Sequence, residues 1–295
     1  MRQLSAYQID LLNNFNATHD SPQKGNLLLR LIRAAQPISR AEIAARLEID
    51  KSAVTELVKP LLASKILREE TLPAAAEAGK GRRTRVLSFD AARDFFIGVN
   101  LGVRTSQVGM AAIDGEILFE DDFVTPSRAD EALKTARERI ENLISANAAK
   151  NPRVIGVSVP GMTDAERRRL VYAPNLNWRN LDIVGAFNVG GGVKVVVEND
   201  STAAAMYEAR MRIRQSGSGG DGLMTNFVLV RSGTGIGVGL VIGSEVYRGT
   251  GPARGIAGEF GHMTIVAGGK PCVCGNRGCW EKYASAASAA SLYLG

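Results

Sequence analysis

The sequence predicts an α/β protein with a helical, winged N-terminal head. Apolar residues recur at helical spacing as far as Leu62 and are followed by two β-prone runs. From Phe95 onward, strands and helices alternate and the turns are rich in glycine. A second set of strands begins near Asn226, after a Gly/Ser linker. Two α/β units in succession predict a bilobed domain with a cleft between its lobes.

The head is expected to contain three helices and a two-stranded wing. Pro37 ends the first helix, because proline removes a backbone donor. Ser39 and Glu42 form a capping box before the second helix, and Asp50 is expected to cap the third. The wing strands are expected at 65–70 and 84–89. The apolar faces of the first and third helices are Leu27, Leu28, Leu31, Ile32 and Ala35, then Val54, Leu57, Val58, Leu61 and Leu62.

This arrangement is typical of a winged helix-turn-helix that binds DNA. In such a motif, the second helix of the pair lies in the major groove. Here that helix begins at Asp50, and its first two turns direct four polar residues away from the apolar face: Lys51, Ser52, Thr55 and Glu56. Arg82 and Arg83, in the wing loop GKGRRTR, suit a narrow minor groove. The alternative is a small helical packing unit with a solvated basic loop, and the basic wing favours DNA.

Composition and charge agree with a soluble protein that has a basic head. Of 295 residues, 45% are hydrophobic and 22% are charged, and no apolar run reaches transmembrane length. The polar start with Asp10 and Asp20 does not suit a signal peptide, so we expect a cytoplasmic protein with no membrane partner. Residues 1–90 hold 14 Lys/Arg and 10 Asp/Glu, which is a net charge of +4. The remaining residues hold 22 Lys/Arg and 20 Asp/Glu, which is a net charge of +2. The small excess in the head is a hint of a phosphate backbone.

The rest of the chain predicts a nearly complete first lobe and a short second one. The first lobe is expected to hold the strands FFIGVN, SQVGMAAI, EILFEDDFV, RVIGVSVP and VKVVVEN, with helices at 128–148 and 201–214. The second set contains NFVLV, the strand–turn–strand GIGVGLVIGSEVYRG and one helix at 280–294. A lobe with a hairpin and a single helix buries little apolar surface, so the second lobe is expected to be incomplete.

The three cysteines predict a metal site. They lie within the segment 272–279, with a histidine upstream, in the sequence GEFGHMTIVAGGKPCVCGNRGC. A disulfide framework favours an even number of cysteines spread through the chain, whereas thiolates and an imidazole suit tetrahedral zinc. The predicted ligands of a structural zinc ion are His262, Cys272, Cys274 and Cys279. Free cysteines on a flexible loop are the weaker alternative.

Carboxylates and amides in the two lobes predict a site for a hydroxyl-rich ligand. Asn199 and Asp200 follow a buried strand, Glu259 lies in Gly-Glu-Phe-Gly-His, and Glu281 follows the last cysteine. Each sugar hydroxyl both donates and accepts a hydrogen bond, which such groups satisfy. Helix capping by Asp200 and surface positions for the glutamates are the alternatives. The turn SGTGIGVG at 232–239 is either a phosphate cradle or an ordinary hairpin.

Together these segments resemble the ROK family, whose name abbreviates repressor, open reading frame and kinase. The resemblance begins near Gly25 and is most specific in ENDSTAAA, GTGIGVG, GEFGH and CVCGNRGCWE. It implies a bilobed, actin-like, sugar-kinase-like (ribonuclease H-like) domain after the winged head. The implied domains are 1–90 for DNA binding and 91–295 for the effector, with lobes at 91–215 and 223–295. The implied sugar ligands are Gly161, Asn199, Asp200, Glu259, His262 and Glu281.

Two departures from the family's kinases favour a regulator over an enzyme. Kinases carry Asp-x-Gly-Gly-Thr at the first hairpin, whereas this chain has Asn100 and the pair Val103-Arg104. The family also continues for roughly another hundred residues, within its normal domain size, to supply the adenosine site. The implied function is a sugar-responsive repressor that binds inverted-repeat operator DNA as a homodimer or homotetramer, with a monosaccharide or sugar phosphate as effector. The alternatives are an ATP-dependent sugar kinase with Asp200 as base, and a fragment unable to fold its second lobe.

Overall fold

The computed structural model describes residues 22–47, 49–71, 84–92, 94–148, 152–216, 226–243, 245–250 and 257–294. The chain divides into two compact units: Met1–Arg93 with Ala209–Thr225, and Asp94–Glu208 with Asn226–Gly295. Among the described helices, none combines the length and the apolar character needed to cross a membrane.

The first unit contains the three predicted helices. They are α1 (Pro22–Ala35), α2 (Arg40–Leu47) and α3 (Lys51–Ala63), and α1 ends two residues before Pro37. The capping box forms as predicted: the Ser39 amide donates to Glu42 Oε2 at 2.9 Å, and the Glu42 amide donates to Ser39 Oγ at 3.2 Å. The Ser39 hydroxyl also donates to Glu42 Oε2 at 2.8 Å, and the bonds donated by the Ser39 amide and hydroxyl lower the pKa of the Glu42 carboxyl group. Asp50 occupies the position before α3, but its side chain makes no capping hydrogen bond, so that expectation is wrong.

A three-stranded sheet completes the first unit and forms the base of the wing. Its strands β1 (Ile38–Ser39), β2 (Leu67–Thr71) and β3 (Arg85–Phe89) lie in the order β1-β3-β2, and β2 pairs antiparallel with β3. Glu69 on β2 pairs with Arg40 of α2 and with Arg85 of β3, which ties the helix to the wing. The core of the unit is formed by Leu28, Ile32, Ile38, Ile43, Leu47, Val54, Val58, Leu67, Val86, Leu87 and Phe89.

The second unit is organised around a five-stranded sheet. Its strands are β4 (Phe95–Asn100), β5 (Thr105–Ala112), β6 (Ile117–Val124), β7 (Pro152–Val159) and β11 (Lys194–Asn199), in the order β11-β7-β4-β5-β6. The first three form an antiparallel meander, while β7 pairs parallel with β4 and with β11. Helix α4 (Ala129–Ala146) buries Ala132, Ala136 and Ile140 in the core shared with the sheet. Parallel strands that end together bring the loops after β4, β7 and β11 to one edge.

Three short strands between β7 and β11 form an element that the sequence did not predict. They are β8 (Met162–Thr163), β9 (Arg169–Ala173) and β10 (Trp178–Asp182), followed by the short helix α5 (Ile183–Ala186). The strands form an antiparallel sheet of order β10-β9-β8, and a 3₁₀ helix (Pro174–Leu176) joins β9 to β10. The strands are only two to five residues long and show no regular alternation of polar and apolar residues, and positive-φ residues occur just before β10 (Asn177) and within it (Asn180).

Helix α6 (Asp200–Ser216) follows β11, and a second antiparallel sheet comes after it. The strands of this sheet are β12 (Phe227–Ser232), β13 (Ile236–Ile242) and β14 (Glu245–Tyr247). The single helix predicted at 280–294 is wrong, because the structure has α7 (Glu281–Ala284) and α8 (Ala286–Leu294). Ser285, in extended conformation, breaks the helix, and its Oγ accepts the Ser288 amide at 3.1 Å to cap α8.

Candidate functional site

The six predicted sugar ligands line one cavity of the second unit. The cavity has a volume of about 340 Å³. It lies where the loops after β4, β7 and β11 meet the β12–β13 turn and the 3₁₀ helix Glu259–His262. Gly161, Asn199, Asp200, Glu259, His262 and Glu281 are all among its lining residues. Positions distant in sequence therefore converge on one concave surface, which is the usual form of a small-molecule site.

The Asn199 side chain connects three parts of this cavity. Its Oδ1 accepts the amides of Ser201 and Thr202 at 2.9 and 3.0 Å, which caps α6. Its Nδ2 donates to the Gly161 carbonyl oxygen at 3.1 Å and to Glu259 Oε1 at 3.4 Å. The first turn of α6, the loop after β7 and the 3₁₀ helix are thus fixed by one amide.

Asp200 is held by an arginine that the sequence analysis missed. Arg231 Nη1, on β12, lies 2.9 Å from Asp200 Oδ2, and Ser201 Oγ donates to Asp200 Oδ1 at 3.2 Å. Both carboxylate oxygens therefore already have partners. Arg231 directly precedes the glycine-rich turn and lines the cavity, and its position beside that motif is the signal that could have identified it.

Three carboxylates share the cavity, and one of them is held partly protonated near neutrality. Burial raises the pKa of Glu259 to about 7, and the nearby negative charges of Asp200 and Glu281 raise it further in the same direction. A protonated carboxyl group donates one hydrogen bond and still accepts others. The cavity therefore offers both donors and acceptors from carboxyl groups alone, as a polyhydroxyl ligand requires.

The four predicted metal ligands also converge. The ligand atoms of His262, Cys272, Cys274 and Cys279 all lie within 4.8 Å of one another. Cys274 Sγ and Cys279 Sγ are 3.7 Å apart, and Cys272 Sγ is 3.6 Å from His262 Nδ1. An ion at a Zn–S distance of about 2.3 Å in a tetrahedral site separates two sulfurs by about 3.8 Å. The cluster thus has the donor set and the spacing that hold a tetrahedral metal ion.

His262 connects this cluster to the cavity. Its Nδ1 faces the thiols, while its Nε2 lies 3.9 Å from Glu259 Oε2. Glu281 Oε1 accepts from Cys272 Sγ at 3.2 Å and is 3.6 Å from His262 Nδ1. Burial raises the pKa of the Cys272 and Cys279 thiols, so a bound cation would be needed to keep them as thiolates near neutral pH.

Close packing explains the glycines of the β12–β13 turn and strand. A Cβ atom added to Gly235 would lie 2.5 Å from Glu281 Oε2, and one added to Gly237 would collide with Ser201 Oγ. The Gly233 amide donates to the Gly235 carbonyl oxygen at 2.9 Å. Gly237 therefore lets β13 lie against α6, whereas the flexible Glu281 side chain could move away from a side chain at position 235. An ordinary hairpin would use glycine for its positive φ, but neither Gly235 nor Gly237 has a positive φ.

The turn after β4 has no carboxylate at the position where the family's kinases carry aspartate. Asn100 Oδ1 accepts a hydrogen bond from Ser158 Oγ at 2.9 Å, across the β4–β7 pair. Val103 and Arg104 follow in the cavity wall, and the Arg104 side chain is exposed. Because an amide carries no charge, Asn100 offers a weaker partner to Mg²⁺ than a carboxylate would.

The predicted DNA-binding residues of α3 lie on the surface of the first unit. Lys51, Ser52, Thr55 and Glu56 are all exposed, opposite the buried residues Val54 and Val58. Thr55 Oγ1 donates to the Lys51 carbonyl oxygen at 2.9 Å, so its hydroxyl hydrogen is used within the helix. Arg82 and Arg83 lie outside the described residues.

A model of the ROK family matches residues 96–294. The chain belongs to the ROK family. The xylose repressor of Bacillus spizizenii is 31% identical over 262 residues, covering 88% of this chain and 65% of that protein. The chain also matches a crystal structure of a ROK family transcriptional regulator, a homologue of the Escherichia coli MLC protein, with TM-score 0.72 at 25% identity. That match covers 97% of this chain and 67% of the regulator.

Kinases of the ROK family are similar to a smaller part of the chain. A ROK family glucokinase from Streptomyces griseus, in complex with glucose and AMPPNP, matches with TM-score 0.55 at 32% identity. That match covers 66% of this chain and 58% of the glucokinase. The actin-like α/β fold expected from the sequence is confirmed by these structural matches. The chain spans 65% of the length of the xylose repressor.

Replacing Gly161 with alanine should destabilise the second unit and distort the cavity. A Cβ atom there would collide with the Tyr172 carbonyl oxygen and lie 2.8 Å from Ala173 Cα, and backbone atoms of β9 cannot move aside cheaply. We expect a loss of about 1–3 kcal/mol in the free energy of unfolding, as for other overpacked sites.

Gly156→Ala is the matched control, because a Cβ atom at that position on β7 meets nothing within 4 Å. Chemical denaturation followed by tryptophan fluorescence compares the two variants. Equal stabilities of Gly161→Ala and Gly156→Ala would contradict the steric argument.

Proposed function

We propose that this chain is a sugar-responsive transcription repressor. The observation that carries the proposal is the combination, in one chain, of a winged helix-turn-helix with an exposed polar helix α3 and a ROK cavity whose Asp200 is ion-paired to Arg231. The similarity to the xylose repressor and to the ROK transcriptional regulator extends over both the head and the cavity. Similarity to the glucokinase covers a smaller share of the chain.

Within this proposal, residues 1–90 bind operator DNA and residues 91–295 bind the effector. Helix α3 enters the major groove, with Lys51 at a phosphate and Ser52 and Glu56 at base edges. One such helix covers a single half-site, so an inverted-repeat operator requires a homodimer or a higher homo-oligomer. DNA binding also places the protein in the cytoplasm.

Changing Arg82 and Arg83 together to alanine should weaken operator binding and lower its salt dependence. Each phosphate charge that a bound cation neutralises contributes about 0.9 to the slope of log affinity against log salt concentration, so removing two arginines from the minor groove lowers the slope by about 2 per head. Fluorescence anisotropy with an inverted repeat selected from random DNA measures affinity at several salt concentrations.

The charge-matched control is Lys134→Ala with Lys194→Ala, since both lysines are exposed in the second unit. This variant should keep the affinity and the slope of the wild type. Unchanged affinity and slope in the arginine variant would exclude the wing from the DNA interface.

We also propose that His262, Cys272, Cys274 and Cys279 hold one structural zinc ion. Three thiols and an imidazole suit zinc, and four protein ligands leave no position open for a substrate water. When bound, the ion supplies a rigid crosslink between the cysteine loop and the 3₁₀ helix Glu259–His262. His262 then keeps its Nε2 toward Glu259 and the cavity.

Cys274→Ser should lose the metal and weaken sugar binding, because His262 loses its fixed orientation. Elemental analysis of freshly purified wild-type protein should find about one zinc per chain. Val273→Ser is the matched control, since this neighbour is 52% exposed and is not among the four ligands. Wild-type protein free of zinc would reject the metal site.

The cavity is proposed to bind its sugar without phosphorylating it. Phosphoryl transfer depends on positioning and on neutralising charge at the phosphates. Here Asn100 is neutral, and Asp200, the position of the base in the kinases, already has partners on both oxygens. The kinase alternative rests on the presence of Asp200 and on the similarity to the glucokinase.

A direct test follows the operator complex and nucleotide turnover in the same preparation. The effector sugar should change operator affinity, with release as the expected direction, while sugar-dependent ATP hydrolysis stays well below about one per second. Asp200→Asn should weaken the response to the sugar and leave operator affinity without sugar intact. Sugar-dependent turnover at ordinary enzyme rates would establish the kinase instead.

A further inference from the structure

The guanidinium of Arg231 gives the cavity a positively charged side that a neutral sugar does not require. Its side chain is 48% exposed and pairs through Nη1 with Asp200, its one ion-pair partner within the described residues. Guanidinium groups have five N–H donors and no acceptor. Since Arg231 lines the cavity, donors remain available toward a ligand.

Charge is distributed unevenly across this cavity. The Glu259 and Glu281 carboxyl groups line the cavity on either side of His262, at 3.9 Å from its Nε2 and 3.6 Å from its Nδ1. Asn199 Nδ2 contacts Glu259 Oε1 at 3.4 Å and so joins this group to the start of α6, where Asp200 lies. On its other side, Asp200 contacts Arg231. The charged groups therefore follow one another across the cavity: the carboxyl groups of Glu259 and Glu281, then Asp200, then the Arg231 guanidinium. A molecule with neutral hydroxyls at one end and an anion at the other matches this order.

The polar groups near Arg231 also differ from those near Glu259. Asn199, Glu259 and Glu281 offer both donors and acceptors, which suit hydroxyls. Arg231 offers donors alone, and so does Arg104, the other arginine of the cavity wall. Guanidinium groups match the oxygens of phosphate in geometry and charge, and such charge-assisted hydrogen bonds are about twice as strong as neutral ones.

We propose that Arg231 binds the phosphate of a phosphorylated monosaccharide and thereby makes the cavity selective for sugar phosphates over neutral sugars. This inference rests on the proposed sugar-binding function and specifies its ligand. Asp200 keeps two roles: its carboxylate accepts from a ring hydroxyl and orients the guanidinium beside it. Arg231 is thus a specificity-determining residue.

Isothermal titration of the whole chain with matched pairs tests this proposal. The probes are glucose and glucose 6-phosphate, N-acetylglucosamine and its 6-phosphate, and xylose and its 5-phosphate. In at least one pair, the phosphorylated member should bind roughly tenfold or more tightly than the neutral one. Arg231→Gln should bring that ratio close to one, because glutamine keeps a polar donor but removes the charge and the terminal nitrogens of the guanidinium.

The ratio separates ligand selectivity from a structural role. If Arg231 only orients Asp200, Arg231→Gln weakens both members of a pair equally and leaves the ratio unchanged, which would overturn the proposal. Arg104→Gln is the charge-matched control from the same wall, and it should lower the ratio less than Arg231→Gln does. An equal fall of the affinity ratio in both variants would assign the selectivity to the overall electrostatic potential of the cavity and not to Arg231.

The outcomes also distinguish this inference from the proposed function. A neutral sugar that binds as tightly as its phosphate, and that changes operator affinity, would overturn the inference and leave the repressor proposal standing. If no member of any pair binds, both fail. Circular dichroism and thermal unfolding of each variant establish that the affinities refer to folded protein.

Discussion

The cavity depends on one side-chain amide, that of Asn199. Its oxygen satisfies two free amides at the start of α6, and its nitrogen reaches the Gly161 carbonyl oxygen and the Glu259 carboxyl group. The amide places an uncharged acceptor and an uncharged donor on neighbouring atoms, which lets one side chain serve both sets of partners. An aspartate at this position would lose the donor and add a fourth negative charge beside Asp200, Glu259 and Glu281.

The carboxyl groups near the Asn199 amide are balanced by arginines. Like charges raise the cost of ionising Glu259, whereas Arg231 offsets the charge of Asp200. Glu198, near the end of β11, also has two arginine partners: its Oε2 lies 3.3 Å from Arg167 Nε and 2.7 Å from Arg248 Nε. The arginines therefore act as counter-ions for the acidic end of β11, and they connect it to the β8–β9 hairpin and to the segment after β14. Asp200 and Glu198 are tolerated in this half-buried position because each is paired with at least one arginine.

The cavity and the His262–Cys272–Cys274–Cys279 cluster are in contact through His262 and Glu281. His262 Nδ1 faces the cluster and its Nε2 faces Glu259, while Glu281 contacts Cys272 and approaches the glycine-rich turn. The cysteine loop therefore contacts two residues that also line the cavity. The ROK regulator and the ROK glucokinase both match this fold, so function has to be argued from the residues of the cavity and not from the fold.

The sequence by itself determined the elements with strong local signals. Helical periodicity predicted α1, α2 and α3, and the reciprocal Ser39–Glu42 pattern predicted one cap. The clustered cysteines with His262 predicted four side chains that the structure brings within reach of a single ion. Such features depend on neighbours a few residues apart. The tertiary structure alone decided the β8–β10 sheet, the break at Ser285 and the Asp200–Arg231 pair. The sheet has no apolar alternation. Ser285 is one of three serines spaced along the same segment, so the sequence does not show which of them caps a helix. The ion pair joins residues that meet only when β12 packs beside the start of α6.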